Sequence, residues 1–175
     1  MKNTINYRWI TILIISSFLI SIIFTLISEL AIPNVGIILG IIITLLFIFI
    51  GVMFDMIGVA IATADESVFH SMASKKVKGA KTAIKLKKNA DKMASFFNDV
   101  IGDICGIVSG STGTVITLKI IEKTGANDLL ITLIIVGFIS ALTIGGKALE
   151  KGYAMKESNK ILIRFSKIIS MFSKE

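Results

Sequence analysis

The chain has 175 residues, 54% of them apolar, with a mean hydropathy of +0.84 and a formal net charge of +7. A soluble domain of this length carries far more polar surface, so composition excludes a water-soluble protein and requires an integral membrane protein. A single cysteine excludes an internal disulfide and a Cys-based metal site; Cys105, set in an apolar run, reads as a small buried hydrophobe.

Residues 9–27, "WITILIISSFLISIIFTLI", form a run of 19 without a charge. Such a helix crosses about 30 Å of hydrocarbon at about 1.5 Å per residue. A signal peptide is the competing reading. Its apolar core would be about 7–15 residues long and end on a small-x-small site. "SELAIPNVG" does not supply that site, so a retained span is expected. Pro33 marks the turn that follows. The second span begins near Val35 and continues past Asp55 to residue 64. It exceeds one crossing, so it must tilt or protrude.

Composition then flips. Residues 75–92, "KKVKGAKTAIKLKKNADK", hold eight lysines and one aspartate. Val77, Ala80, Ala83, Ile84 and Leu86 recur at helical spacing among them. This predicts a basic amphipathic helix over 72–92, lying at the membrane surface. A nucleic-acid patch would bring arginine and aromatics and would not be pinned between two spans, so no nucleic-acid partner is expected.

The third span is predicted over 93–121 and the fourth over 129–146, joined by "EKTGAND". The tail, 147–175, is polar at first. It then sets Ile161, Phe165, Ile168 and Ile169 on one face and Lys160, Arg164 and Lys167 mostly on another, a second interfacial helix. Lysine and arginine alternate between segments. Lys2 and Arg8 precede the first span, the next loop has neither, 75–92 is lysine-rich, the loop after the third span has Lys123, and the tail is basic. By the positive-inside bias this predicts a multi-pass protein of the cell (inner, cytoplasmic) membrane with both termini cytoplasmic.

The informative charges lie inside the spans. At about 100° per residue, Asp99, Asp103, Gly106, Gly110, Gly113 and Thr117 fall within about 80° of one another. Asn98, Gly102 and Ser109 flank them, and Ile101, Ile104, Val108 and Val115 take the opposite side. On the second span Asp55 shares a face with Thr44, Gly51, Ala62 and Glu66, with Gly58 nearby. On the fourth, Ser140, Thr143 and Lys147 line up. Packing these small, polar stripes together is the economical arrangement.

An ionised aspartate at mid-bilayer costs about 2.5–3.5 kcal/mol or more unless paired or wet. Three partners would serve. The first is a divalent cation held by Asp55, Asn98, Asp99 and Asp103, since oxygen ligands suit hard ions such as magnesium. The second is Lys147, as a structural ion pair. The third is water at the bilayer edge. His70 has no other His or Cys to join it and reads as a surface residue. "GSTGT" follows no strand and lacks the Lys-Ser/Thr ending of a phosphate loop.

"AIATADESVFHSMASKKVKGAK" resembles the start of the transmembrane domain of CNNM/CorC (CorB)-type magnesium and cobalt efflux proteins, where the run looks like "SLSRxRLxxLAEEGxxGAK". Ala73, Gly79, Ala80 and Lys81 fit without a gap. "KLKKNADKMASFF" is similar to the family's "LLENPDRLLATIL" through Asn89, Asp91 and Lys92. "GGKALEKGYAMKESNKI" is similar to "GEILPKTLARRNPERI" through Gly146, Leu149, Lys151, Ala154 and Lys160. The resemblance covers residues 50–165. It implies three spans with a cytoplasmic helical belt between the first two, the first span here being an addition. It also implies an ion site with a Ser near the end of one span, an Asn on the next and the Glu of "GE" on the last. Lys147 stands at that Glu position, Gly58 stands at another family Glu, and the family's cytoplasmic CBS pair is expected to be absent.

The expectation is therefore an all-α integral membrane protein with four transmembrane helices and a basic cytoplasmic segment between spans two and three. Its expected function is divalent-cation transport, magnesium or cobalt being the cargo, with no cofactor. The competing expectation is a non-transporting membrane scaffold in which Lys147 neutralises the carboxylates. No nucleophile–base pair or catalytic metal spacing suggests an enzyme. The expected partners are the bilayer and, through the glycine-lined faces, a second copy of the chain.

Overall fold

In hydrocarbon every backbone amide must be satisfied within its own segment, so Ile- and Leu-rich runs of this length become helices. The computed structural model describes residues 7–31, 34–125 and 127–172, and the turn expected at Pro33 lies outside them. Among the described residues there is no strand. Eight α-helices follow in order: α1 Tyr7–Ala31, α2 Ile37–Thr63, α3 Glu66–Ser74, α4 Ala80–Lys88, α5 Ala90–Ser95, α6 Asp103–Thr124, α7 Asp128–Lys156 and α8 Ser158–Phe172. A π-helical segment, Phe96–Gly102, joins α5 to α6. Four helical stretches are long and apolar enough to span a membrane: 7–28, 37–63, 90–124 and 128–156.

α2 is the central element. Its 27 residues extend about 40 Å, well beyond the hydrocarbon core. The last two turns protrude into a cap built from α3, α4 and α8. There Ile57, Ile61, Ala64, Phe69, Ala80, Ala83, Leu162 and Ile163 form the main apolar core. Asp65 caps α3 by accepting the Ser67 amide at 2.9 Å, which holds its carboxyl below the usual carboxylate range. The Asp65 amide in turn donates to Asn159 Oδ1 at 2.9 Å, tying α8 to the α2–α3 corner.

The basic segment is not one helix on the membrane surface. It breaks at Lys76 and Gly79, both with positive φ, and again at Asn89. Ala80 and Ala83 are buried under α3 and α8 rather than laid against lipid. Gly79 is required twice over: its φ is +82°, and a Cβ there would lie 2.8 Å from the Lys167 backbone nitrogen. On α8 the buried residues are Ser158, Leu162, Ile163, Ser166 and Ser170, while Ile168 is exposed. The helix docks on the cap by a face rotated from the one its isoleucines suggested. The helix that carries the fourth span continues ten residues beyond 146, because Gly145 and Gly146 do not break it and Glu150 and Ala154 bury against the bundle.

α1 covers the third span. Val100, Ile104 and Val108 pack against Leu13 and Ile20 of α1, with Phe47 and Phe96 beside them. Ser28 and Thr112 hydrogen-bond at 2.9 Å. So the apolar side of the third span is filled by α1. The π segment ends just before Asp103 and alters the angular step there, and Asp99, which a uniform 100° wheel set on the stripe with Asp103, is exposed. Trp9 lies under Lys92 and α8 lies on α4, so both ends of the described chain sit at the lysine-rich end of the bundle.

Candidate intramembrane ion site

Asp55 reaches the helix seam because glycines flank it by one turn on each side. A Cβ at Gly51 would lie 3.0 Å from the Cys105 Cβ and 3.2 Å from the Gly102 carbonyl oxygen. One at Gly58 would lie 3.0 Å from the Ala94 carbonyl oxygen and 3.2 Å from Asn98. These close approaches leave Asp55 buried, with its side chain 8% exposed. It sits half a turn before Ile57, where the cap core begins, so the site lies at the foot of the cap.

Lys147 enters from α7. Gly146 lets that helix close on Val52, whose side chain would be 2.9 Å from a Cβ. The Lys147 Nζ donates to Asp103 Oδ1 at 2.7 Å and lies 3.6 Å from Asp55 Oδ1. The Asp103 side chain is 60% exposed and opens onto a groove of about 490 Å³ between α6 and α7. Gly106, Gly110, Ser140 and Thr143 line that groove. The fourth span's small, polar stripe does face Asp103, as its spacing suggested.

One turn beyond Lys147, Glu150 turns inward and is 8% exposed. Asp55, Lys151 and Lys147 are the charged side chains that act on it. The Glu150 carboxyl lies within hydrogen-bonding reach of the Asp55 carboxyl, and Asn98 Oδ1 is buried with no hydrogen-bond partner among the described residues. Asp55 and Asp103 thus meet the inserted Lys147 ammonium, and Glu150 lies against Asp55.

Of the four residues expected to ligate a cation, Lys147 bridges Asp55 and Asp103. Asn98 lies on the same seam, against Gly58. Asp99 is exposed and, among the described residues, has no ion-pair partner. Among the described residues no three Asp, Glu, His or Cys side chains close around a single point as a metal cage would. His70 is exposed and bonds Glu66 at 3.2 Å within α3. "GSTGT" lies in the middle of α6, and Cys105 is buried.

Glu150 escaped the sequence reading because "KALEK" looked like the start of a solvated tail. The signal was present in the spacing: Lys147, Glu150 and Ala154 share one helix face. The π segment had no such signal.

Fold and site together define a four-span helical membrane protein with an ion-paired polar seam where its spans meet a basic helical cap. The model of the Cyclin M transmembrane N-terminal domain family (CNNM) matches residues 41–174, so the chain belongs to that family, which is linked to divalent-cation transport. The match starts inside α2 and runs through α8, leaving α1 outside it. No CBS pair lies within these 175 residues. No curated protein and no solved structure matches the chain.

Proposed function

We propose that the seam takes up a divalent cation, magnesium or cobalt, and that Lys147 is a tethered ammonium which the cation displaces. One observation carries this reading: the buried Glu150 carboxyl lies against the buried Asp55 carboxyl, and Asn98 Oδ1 is buried on the same seam with no hydrogen-bond partner among the described residues. Two neighbouring carboxyls in a buried seam repel when both are ionised, and a bound cation relieves that repulsion. Magnesium keeps several waters and needs only one or two carboxylates, so a closed cage of three acids is not required. Asp55 and Asn98 are the proposed inner ligands, with Glu150 added. Asp99 and Asp103 are the proposed entry carboxylates, Asp103 at the α6–α7 groove.

The membrane is proposed to be the cytoplasmic one, with both termini inside. The lysine-rich cap and both described ends of the chain share one end of the bundle, as the positive-inside bias favours. A homodimer belongs to the same proposal. Gly51, Gly58 and Gly146 are used up within the protomer, whereas a Cβ at Gly110 would meet nothing within 4 Å. A Gly110→Cys variant in a Cys105→Ser background should therefore form a disulfide-linked dimer in membranes under oxidant. Failure of Gly110→Cys to cross-link, or equal cross-linking by Ile14→Cys on the exposed surface of α1, would count against a dimer on this face.

A second reading is favoured by the 2.7 Å Lys147–Asp103 bond. In it Lys147 is a permanent counter-ion and the protein is a non-transporting scaffold. Transport assays separate the two. Proteoliposomes carrying the wild-type protein should move magnesium or cobalt, and Asp103→Asn should abolish that flux. A wild-type protein that moves neither ion would leave only the scaffold.

A further inference from the structure

At the basic end of the bundle, a groove of about 560 Å³ separates the start of α1 from the α4–α5 junction. Its two walls differ in chemistry. Trp9, Ile10 and Leu13 of α1 line one side, and Lys87, Lys88 and Lys92 line the other, with Asp91 the one acid. Lys87 is already engaged, donating to the Ala62 carbonyl at 2.7 Å and the Ile61 carbonyl at 3.2 Å at the end of α2. The Lys92 amine lies 5.4 Å from the Trp9 ring centroid. Lys88 is exposed.

We propose that this groove is a binding site for one anionic phospholipid. Its phosphate would lie between Lys88 and Lys92, and an acyl chain would run along Ile10 and Leu13. Three observations carry the assignment. Positive charge exceeds negative on the polar wall, so an anionic headgroup is preferred over a zwitterionic one, whose choline would meet the same lysines. Trp9 marks the headgroup level, where an amphipathic ring is most stable. The apolar wall continues as the outer surface of α1, on which Ile10, Ile14 and Phe18 are exposed, so a chain entering the groove stays in contact with the bilayer. A soluble phosphate would use only half of this surface. The site does not depend on whether an ion crosses the seam.

Trp9 is the sole tryptophan, so its fluorescence reports on the groove alone. The test compares quenching by phosphatidylglycerol and by phosphatidylcholine, each brominated on its acyl chains, in vesicles holding the full chain. Phosphatidylglycerol is expected to half-quench Trp9 at a mole fraction about five-fold lower, the effect of roughly one lysine's attraction to an anionic lipid. Lys88→Glu should remove most of that preference, and Lys88→Glu with Lys92→Glu all of it. Lys76→Glu with Lys78→Glu, exposed on the turn outside the groove, should leave it intact. Equal quenching by the two lipids would overturn the proposal. So would a preference lost equally in the Lys76/Lys78 variant, which would mean diffuse attraction to the whole basic cap.

Discussion

Lys147→Met should destabilise the protein in detergent by about 3 kcal/mol, and millimolar magnesium should restore most of that loss. The reasons are local. Lys147 Nζ lies 3.6 Å from Asp55, whose side chain is 8% exposed, and Glu150 is buried beside them. Removing one partner of a buried ion pair leaves an uncompensated charge and typically costs about 3–5 kcal/mol. The lower end applies because Asp103 is 60% exposed and water screens that half of the pair. A cation filling the vacated position at about 100 times its dissociation constant returns about 2.7 kcal/mol. The wild-type midpoint should rise much less, since its own ammonium already sits there. Thermal unfolding of both proteins, with and without magnesium, checks this. If magnesium leaves Lys147→Met unchanged while a second change, Asp55→Asn, restores it, the lysine is a structural counter-ion and no cation competes for its place.

Phe69→Ala should have a comparable effect for a different reason. Phe69 is fully buried where α3 folds back onto the end of α2, amid Ile61, Ala64, Ala83 and Leu162. Removing a ring from such a core costs about 3–5 kcal/mol. The loss should fall on the cap first, because the spans are held by separate contacts such as Ser28 with Thr112. Limited proteolysis should therefore cut between α7 and α8 in the variant well before the spans unfold. A variant with cap and spans equally resistant would show that lipid-side packing alone holds the cap. The polar seam should suffer too, because the cap positions Phe97 between Phe54 and Phe165, at 5.9 and 5.2 Å, beside Asn98.

The spans were legible because uninterrupted Ile and Leu runs admit only helices in a bilayer, and the described residues contain four helices long and apolar enough to cross one. The end of the fourth was missed because Lys147 reads as a boundary charge. In the fold it is an inward ligand to Asp103, and the helix continues past it to Lys156. The stripe Ser140, Thr143, Lys147 was readable from spacing alone. The burial of Ala80 and Ala83 was not, because an alanine-and-lysine helix looks the same whether its apolar side meets lipid or other helices. Likewise nothing in "FFNDVIG" announces a π turn, which depends on how α2 and α1 close around it. The resemblance put a lysine where a ligand Glu was expected. Glu150, one turn on, supplies a buried carboxylate that no alignment of "GE" with "GK" would reveal.

The most direct test of the proposed seam is manganese binding followed by electron paramagnetic resonance, since manganese shares magnesium's preference for oxygen ligands. Free manganese gives a strong signal that vanishes on binding. The wild-type protein should bind one ion per chain, Lys147→Met should bind it more tightly, and Asp55→Asn with Glu150→Gln should not bind it. Equal binding by all three, or none by either of the first two, would contradict a cation site between Asp55, Asn98 and Glu150.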